Sequence, residues 1–305
     1  MNWFKFLLVC TLSIAFFSSC NVGKKALDGT IKKEVNTFPY DFSQLKAYPL
    51  PAALNEVSGL TYDTEKDQLL AVEDERGVIY TLDKNNGNIL NKEKFYKDGD
   101  YEGITIVGEY IYVLKSSGTI YKVKHEDYNA KPEKIKGTLK KDFDLEGLTY
   151  DQHTDGLIVS CKEPTEHEGA NSRCLFRFDI ESEEMSKSPF LMIKREELKN
   201  YIVSHFSEEE AAKFKKILSP DLDYLHLGPS GLAIHPFTKD IFILSSKSKC
   251  IMVYDRESKT LVYLQKLDKR IFEQPEGISF DTVGNLYITS EAKKNPPQLV
   301  VVPIL

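Results

Sequence analysis

Two acidic clusters recur with one spacing, Asp98-x-Asp100-x-Glu102-Gly103 and Asp142-x-Asp144-x-Glu146-Gly147, and a shorter copy follows at Glu276-Gly277. Carboxylates held this close raise one another's pKa unless a cation lies among them. The chemistry they suggest is binding of a hard divalent cation, calcium or magnesium, or of a cationic ligand group, with Glu102, Glu146 and Glu276 at the repeated metal-ligand position. The pattern opens like a calcium loop, and Glu109 stands twelfth from Asp98. A helical calcium hand is nevertheless not expected, because the following residues read as strands and His153 takes the twelfth place of the second copy. The competing assignment is that the carboxylates pair with Lys115, Lys162 and Lys247, or accept backbone N–H groups where strands begin.

Other chemistries lack their residues. Gly228-Pro229-Ser230-Gly231 is followed by Leu232, so no serine-hydrolase elbow forms. The six histidines are scattered, His153 in a turn and His235 at a strand end, with no metal-ligand spacing. No glycine-rich phosphate loop occurs. The formal net charge is −6 without a long basic run, which argues against nucleic acid as a partner. Cys161, Cys174 and Cys250 show no zinc spacing. In an oxidising compartment Cys161 and Cys174, at the two ends of one long hairpin loop, are expected to form a disulfide.

The elements that carry these residues repeat. Five segments share a small motif: Ser58-Gly59-Leu60, Glu102-Gly103-Ile104, Glu146-Gly147-Leu148, Ser230-Gly231-Leu232 and Glu276-Gly277-Ile278, with glycines 44, 44, 84 and 46 residues apart. Each motif opens one alternating strand and is followed by a second, such as IYVLKSS (111–117), and a third, such as TIYKVK (119–124). A repeat of this length holding three or four short strands, rich in β-branched and aromatic residues, is a propeller blade. The predicted fold is therefore all-β, a single propeller of five blades. The 84-residue gap has room for a sixth, but residues 195–226 turn helical: Leu198, Tyr201 and Ile202 share a helical face, and Ser207-Glu208-Glu209-Glu210 has the form of a capping box. One blade with a helical insertion at about 195–226 accounts for the gap. The last blade reaches Leu305 after three strands, so the extended segment at 43–51 is expected to supply its outer strand and close the ring.

Successive strands of a blade reverse direction, so the loops entering the inner strands and those leaving the second strands share one face. That face collects Asp100, Glu102, Asp144, Glu146 and Glu276 from the first set, and Asp74, Lys162, Glu163, Lys247 and Glu291 from the second. These ten residues are the binding candidates around the channel mouth.

At the N-terminus, Lys5, the apolar run at 6–17 and Ser18-Ser19-Cys20 read as a signal peptide over residues 1–19. The run is too short to span a bilayer, which takes about 20 apolar residues. Small residues before Cys20 resemble the bacterial lipobox, with Phe17 where an aliphatic residue is usual. Cys20 is thus expected to carry a lipid and to tether the protein to a membrane of the cell envelope, on its extracytoplasmic side. Residues 20–37 are polar and form the tether; residues 38–305 form the propeller domain.

The repeated [Ser/Glu]-Gly-[Leu/Ile] motifs behind a lipoprotein signal, Asp-x-Glu-Gly-Leu at Asp144–Leu148 in particular, resemble the SdiA-regulated (YjiK-like) family of extracytoplasmic β-propellers, related to NHL-type and phytase-like propellers. The resemblance covers about residues 40–305. It implies an envelope-located propeller and carries over no catalytic residues. Two functions are compatible with the sequence. One is a non-catalytic propeller that binds a small ligand or an envelope protein through its loop-rich channel face. The other is a metal-dependent hydrolase, acting on a phosphate ester or lactone, that uses the acidic ring to hold a divalent cation.

Overall fold

A computed structural model describes residues 38–128, 130–136, 143–163 and 169–305. The signal segment, Cys20, the tether and Asp142 lie outside the described residues. Phe38–Leu305 form one compact unit, and its strands make five separate antiparallel sheets, the five blades of a propeller.

Blade one comprises Val57–Asp63, Gln68–Glu73, Val78–Leu82 and Ile89–Lys94 from the inner strand outward. Blade two follows with Tyr101–Val107, Tyr110–Lys115, Thr119–Lys124 and Glu133–Lys136. In blade three the inner strands are Leu145–Asp151, Gly156–Cys161 and Ser172–Asp179, and the long third strand pairs with both Glu184–Met185 and Leu191–Lys194. Blade four is Pro229–Ile234, Ile241–Ser245, Cys250–Tyr254 and Leu261–Lys266. Blade five supplies Pro275–Phe280, Leu286–Ser290 and Gln298–Val302, and its outer strand is the N-terminal Lys46–Pro49, registered Lys46 against Val301 and Pro49 against Gln298. Pairing between the two ends of the domain removes the edge that Gln298–Val302 would otherwise expose.

The recurring glycines are explained by how closely the inner strands approach. In every blade the inner strand shifts register against its neighbour at the motif. A Cβ on Gly103 would lie 2.6 Å from Leu148 Cβ and 2.9 Å from Glu146 O of the next blade, and one on Gly277 would lie 2.7 Å from Leu60 Cβ. Gly59, Gly147 and Gly231 meet the following inner strand in the same way. Each blade thus leans on the backbone of the next, and the fifth leans on the first. The channel is correspondingly tight: the cavity between the motifs is about 10 Å³, room for a single water at most.

Around this ring, one apolar cluster fills each blade interface. The largest lies beneath the insertion, where Leu198, Ile202, Phe214, Ile217, Leu225 and Leu227 pack on blades three and four. The insertion folds as helices Arg195–His205, Glu208–Ala212 and Lys215–Leu218, and the capping box forms, with Ser207 Oγ accepting from Glu210 N and Glu210 Oε2 accepting from Ser207 N. Two buried guanidinium groups fasten it. Arg173 donates to the carbonyls of Lys162, Ser172, Leu225 and Leu227 at 2.7–2.9 Å. Arg195 donates to Leu222 O, Ile217 O and Ser219 O. Hydrogen bonding to several carbonyls at once compensates much of the desolvation of each charge.

The expected disulfide is not formed. Cys161 and Cys174 are buried thiols that continue the strand register beyond Ser160–Leu175. Both side chains belong to the apolar cluster that contains Tyr112, Leu145 and Phe176, where a cysteine packs as a small hydrophobe. His235 is structural, as its position at a strand end implied. Its Nδ1 accepts from the N–H groups of Phe237 and Thr238, the turn-capping role that Asp63, Asp151 and Asp281 fill in other blades. Burial lowers its pKa to about 4, so it serves as a neutral acceptor.

Candidate functional site

The residue before each ring glycine projects toward the channel, and its type decides what it does there. In blades one and four it is serine. Ser58 Oγ donates to Tyr101 O at 2.6 Å and Ser230 Oγ to Pro275 O at 2.9 Å, so these hydroxyls tie neighbouring inner strands together. In blades two, three and five it is glutamate, and the three carboxylates feel one another across the ring. Glu102, Glu146 and Glu276 are all pushed to higher pKa, first by burial and then, for Glu102 and Glu276, by the charge of Glu146.

Lys162, from the loop after the second strand of blade three, reaches into this group. Its Nζ donates to Glu146 Oε1 at 2.6 Å. The carboxylates of Glu146, Glu276 and Glu102 together hold the ammonium firmly protonated against its burial. The ring expected to hold a metal therefore carries an internal cation, and the pairing with Lys162 is realised. Lys247 instead pairs with Glu163 farther out on the rim. Glu276 is 3 % exposed, and burial with the charge of Glu146 raises its pKa to about 8 against the opposing influence of Lys162 and Gln274.

Asp100 and Asp144 continue the acidic mouth outward. Asp100 accepts from Ser116 Oγ, and Asp144 is raised by burial, partly offset by Lys162. Asp98 is separate, at the surface 3.1 Å from Lys94 Nζ. Glu73 is buried but spoken for, with Oε1 accepting from Arg76 Nε at 2.8 Å.

Beside the ring, at the junction of the first and last blades, lies a second group whose geometry could hold a cation. Glu56 precedes the inner strand of blade one, Asp74 follows its second strand, and Glu291 follows the second strand of blade five. One carboxylate oxygen from each lies within 4.8 Å of the others. Asp74 and Glu291 are among the mouth candidates of the sequence; Glu56 is not, although it stands two residues before Ser58 as Asp100 and Asp144 stand before Glu102 and Glu146, and that repeat position is the signal that marks it. The group also satisfies a test that exposed acidic clusters fail. Glu291 is 6 % exposed, and its Oε2 has no hydrogen-bond partner, as is also true of Asp74 Oδ1. Lys293 Nζ forms an ion pair with that Oε2 at 3.3 Å, so Asp74 Oδ1 is the oxygen of the group left wholly without a partner among the described residues.

The electrostatics agree with the geometry. Burial, then the charges of Glu56, Glu73 and Asp100, raise Asp74 to about 6. Burial raises Glu291 to about 7 against the opposing charge of Lys293, with Glu56 and Asp74 adding to the rise. Three converging carboxylates match the hard-oxygen ligand set of calcium or magnesium, which complete their shells with water.

No curated protein matches the chain. Among solved structures it is similar to Myxococcus xanthus glutaminyl cyclase at 13 % identity and TM-score 0.54, over 85 % of this chain and 95 % of that one. A luciferin-regenerating enzyme aligns at 12 % identity and TM-score 0.49, over 86 % and 96 % of the two chains. Virginiamycin B lyase from Staphylococcus aureus aligns at 12 % identity and TM-score 0.44, over 82 % and 67 %. At these identities the likeness concerns the fold alone. The SdiA-regulated family model matches residues 39–295, which is most of the chain and all five ring motifs, and the chain belongs to the SdiA-regulated family.

Proposed function

We propose that this chain is an exported, lipid-anchored binding protein of the cell envelope whose channel mouth takes a divalent cation at Glu56, Asp74 and Glu291 and presents it, with the acidic ring beside it, to a ligand. The observation that carries this reading is the convergence of three carboxylates from both ends of the ring, with Asp74 Oδ1 unpartnered and Glu291 Oε2 countered by Lys293 alone among the described residues. A bound cation would neutralise charge that burial otherwise penalises. The ring of Glu102, Glu146 and Glu276, already countered by Lys162, would act as a neighbouring recognition surface for a cationic or hydroxyl-rich group. Export and anchoring rest on the N-terminal pattern that ends at Cys20; among the described residues no helix is long and apolar enough to cross a membrane.

A second reading, a metal-dependent hydrolase, is favoured by the same group. With pKa values near 6 and 7, Asp74 and Glu291 are suited to accept a proton at neutral pH if one of them is not engaged as a ligand. The metal would polarise a phosphate or lactone oxygen. Thermal unfolding with calcium, magnesium and manganese, in wild type and in Glu56→Gln, tests the shared step: a bound ion raises the melting temperature by mass action. The binding reading expects that shift without turnover of generic phosphate esters or lactones. Metal-dependent turnover that is lost in Glu56→Gln would favour the hydrolase.

A further inference from the structure

A cleft of about 960 Å³ separates the helical insertion from the outer half of blade four, and its lining is as basic as the channel mouth is acidic. Lys213, Lys215 and Lys216 enter from the insertion; Lys247 and Lys249 come from the turn between the second and third strands of blade four, and Lys266 from the end of its outer strand. In a chain with a formal net charge of −6, this is a local reversal of sign. The two lining carboxylates are engaged elsewhere. Asp268 accepts from Arg270 Nε at 3.0 Å through both oxygens, and Glu210 closes the capping box. Among the described residues, none of Lys213, Lys215, Lys216, Lys249 or Lys266 forms an ion pair with a carboxylate.

The two innermost ammonium groups are instead steered by neutral oxygens. Lys266 Nζ donates to Ser248 O, and Lys249 Nζ to Ser246 O at 3.4 Å. Lys266 also stands 5.7 Å from the ring centre of the buried Phe214, which forms part of the floor. Backbone carbonyls and a ring face orient a cation without cancelling its charge. The result is mutual repulsion. Burial and neighbouring lysines, Lys216 among them, lower the pKa values of Lys249 and Lys266, and burial with Lys216 and Lys247 lowers that of His226 on the same wall. Several unneutralised ammonium groups around one cleft attract multivalent anions and gain stability when one enters.

We propose that this cleft is a binding site for a polyanion, a molecule with two or more phosphate groups in close succession, separate from the cation site at the channel mouth. Its apolar floor, with Phe206, Phe214 and Ile217, would take an organic portion attached to the phosphates. The phosphates can belong to a soluble compound or to a lipid headgroup, and two probes distinguish these sources. Tripolyphosphate is titrated calorimetrically into the full chain in chelator-free, metal-free buffer at low and high salt. The Cys20→Ala chain, whose surface contact no anchor can mask, is floated with phosphatidylcholine vesicles with and without cardiolipin.

The account expects tripolyphosphate binding that weakens with salt and falls about tenfold or more in Lys249→Gln/Lys266→Gln. The exposed pair Lys213→Gln/Lys216→Gln should weaken it as well, and cannot do so through loss of the core. Binding of tripolyphosphate alone identifies a soluble ligand; flotation only with cardiolipin, lost in the same variants, identifies a headgroup. Either result supports the site. No binding of either probe at low salt, or binding that both double variants leave unchanged, overturns it. Metal-induced stabilisation at Glu56, Asp74 and Glu291 should persist in both variants, so the two sites fail independently.

Discussion

Replacing Glu291 by glutamine should stabilise the metal-free protein above neutral pH. Burial raises the folded-state pKa of Glu291 from 4.5 to about 7. The native state therefore holds a proton that the unfolded chain has released, and stability falls as pH rises between these two values. A rise of that size corresponds to at most about 3 kcal/mol once Glu291 is ionised. Local relaxation around the ionised carboxylate and its Lys293 partner reduces this, and about 1–2 kcal/mol is the working expectation. Glutamine keeps the shape and does not titrate. In chelator, urea unfolding at about pH 8 should show the variant more stable by that amount, and at about pH 4, where both forms of wild type are protonated, the difference should vanish. Added calcium or magnesium should reverse the order at high pH by stabilising wild type alone. A variant less stable than wild type at about pH 8 in chelator would refute the reasoning, because it would mean that the ionised carboxylate is already satisfied by Lys293.

Gly103→Ala should cost about 3 kcal/mol, since the new methyl meets the Leu148 Cβ and Glu146 backbone of the next blade. Gly108→Ala, at φ +55 with nothing within 4 Å, should cost only about 1 kcal/mol, and similar losses in thermal melts of the two would contradict the ring packing. Removing residues 38–49 should lower the urea midpoint sharply by stripping the outer strand from Gln298–Val302; unchanged cooperative unfolding would rule out closure by that strand. Cys20→Ala should yield a folded protein that no longer partitions with membranes, and sedimentation with membranes after a high-salt wash would contradict lipid anchoring.

The propeller was legible because each blade restates the same local needs. The glycine marks the closest approach of inner strands, the alternating residues mark a half-buried pleat, and the turn residue Asp63, Asp151 or Asp281 caps the same hairpin. The insertion showed through its capping box, a local signal that Ser207 and Glu210 carry by themselves. The site was legible only in part, because motif position identifies residues equivalent by repeat and not residues that meet across a seam. Glu56 and Glu291 are 235 positions apart in sequence and meet only because the ring closes, so no local pattern joins them. Pairing of the ring carboxylates with Lys162 was open to the sequence as an alternative to a metal, but which of Lys115, Lys162 and Lys247 reaches inward depends on side-chain paths that spacing does not set. Cys161 and Cys174 come to facing positions on adjacent strands, as their places at the two ends of one hairpin loop imply, and both are thiols in this structure. The basic cleft escaped notice because its lysines come from three short, separate segments and no run of them stands out.

Calorimetric titration of calcium and of magnesium into metal-free wild type, Glu56→Gln and Glu102→Gln tests the central claim most directly. The account predicts one saturable site in wild type, abolished in Glu56→Gln and retained in Glu102→Gln, whose carboxylate belongs to the ring already countered by Lys162. A wild type that takes up neither ion, or a site lost in Glu102→Gln and intact in Glu56→Gln, would contradict it.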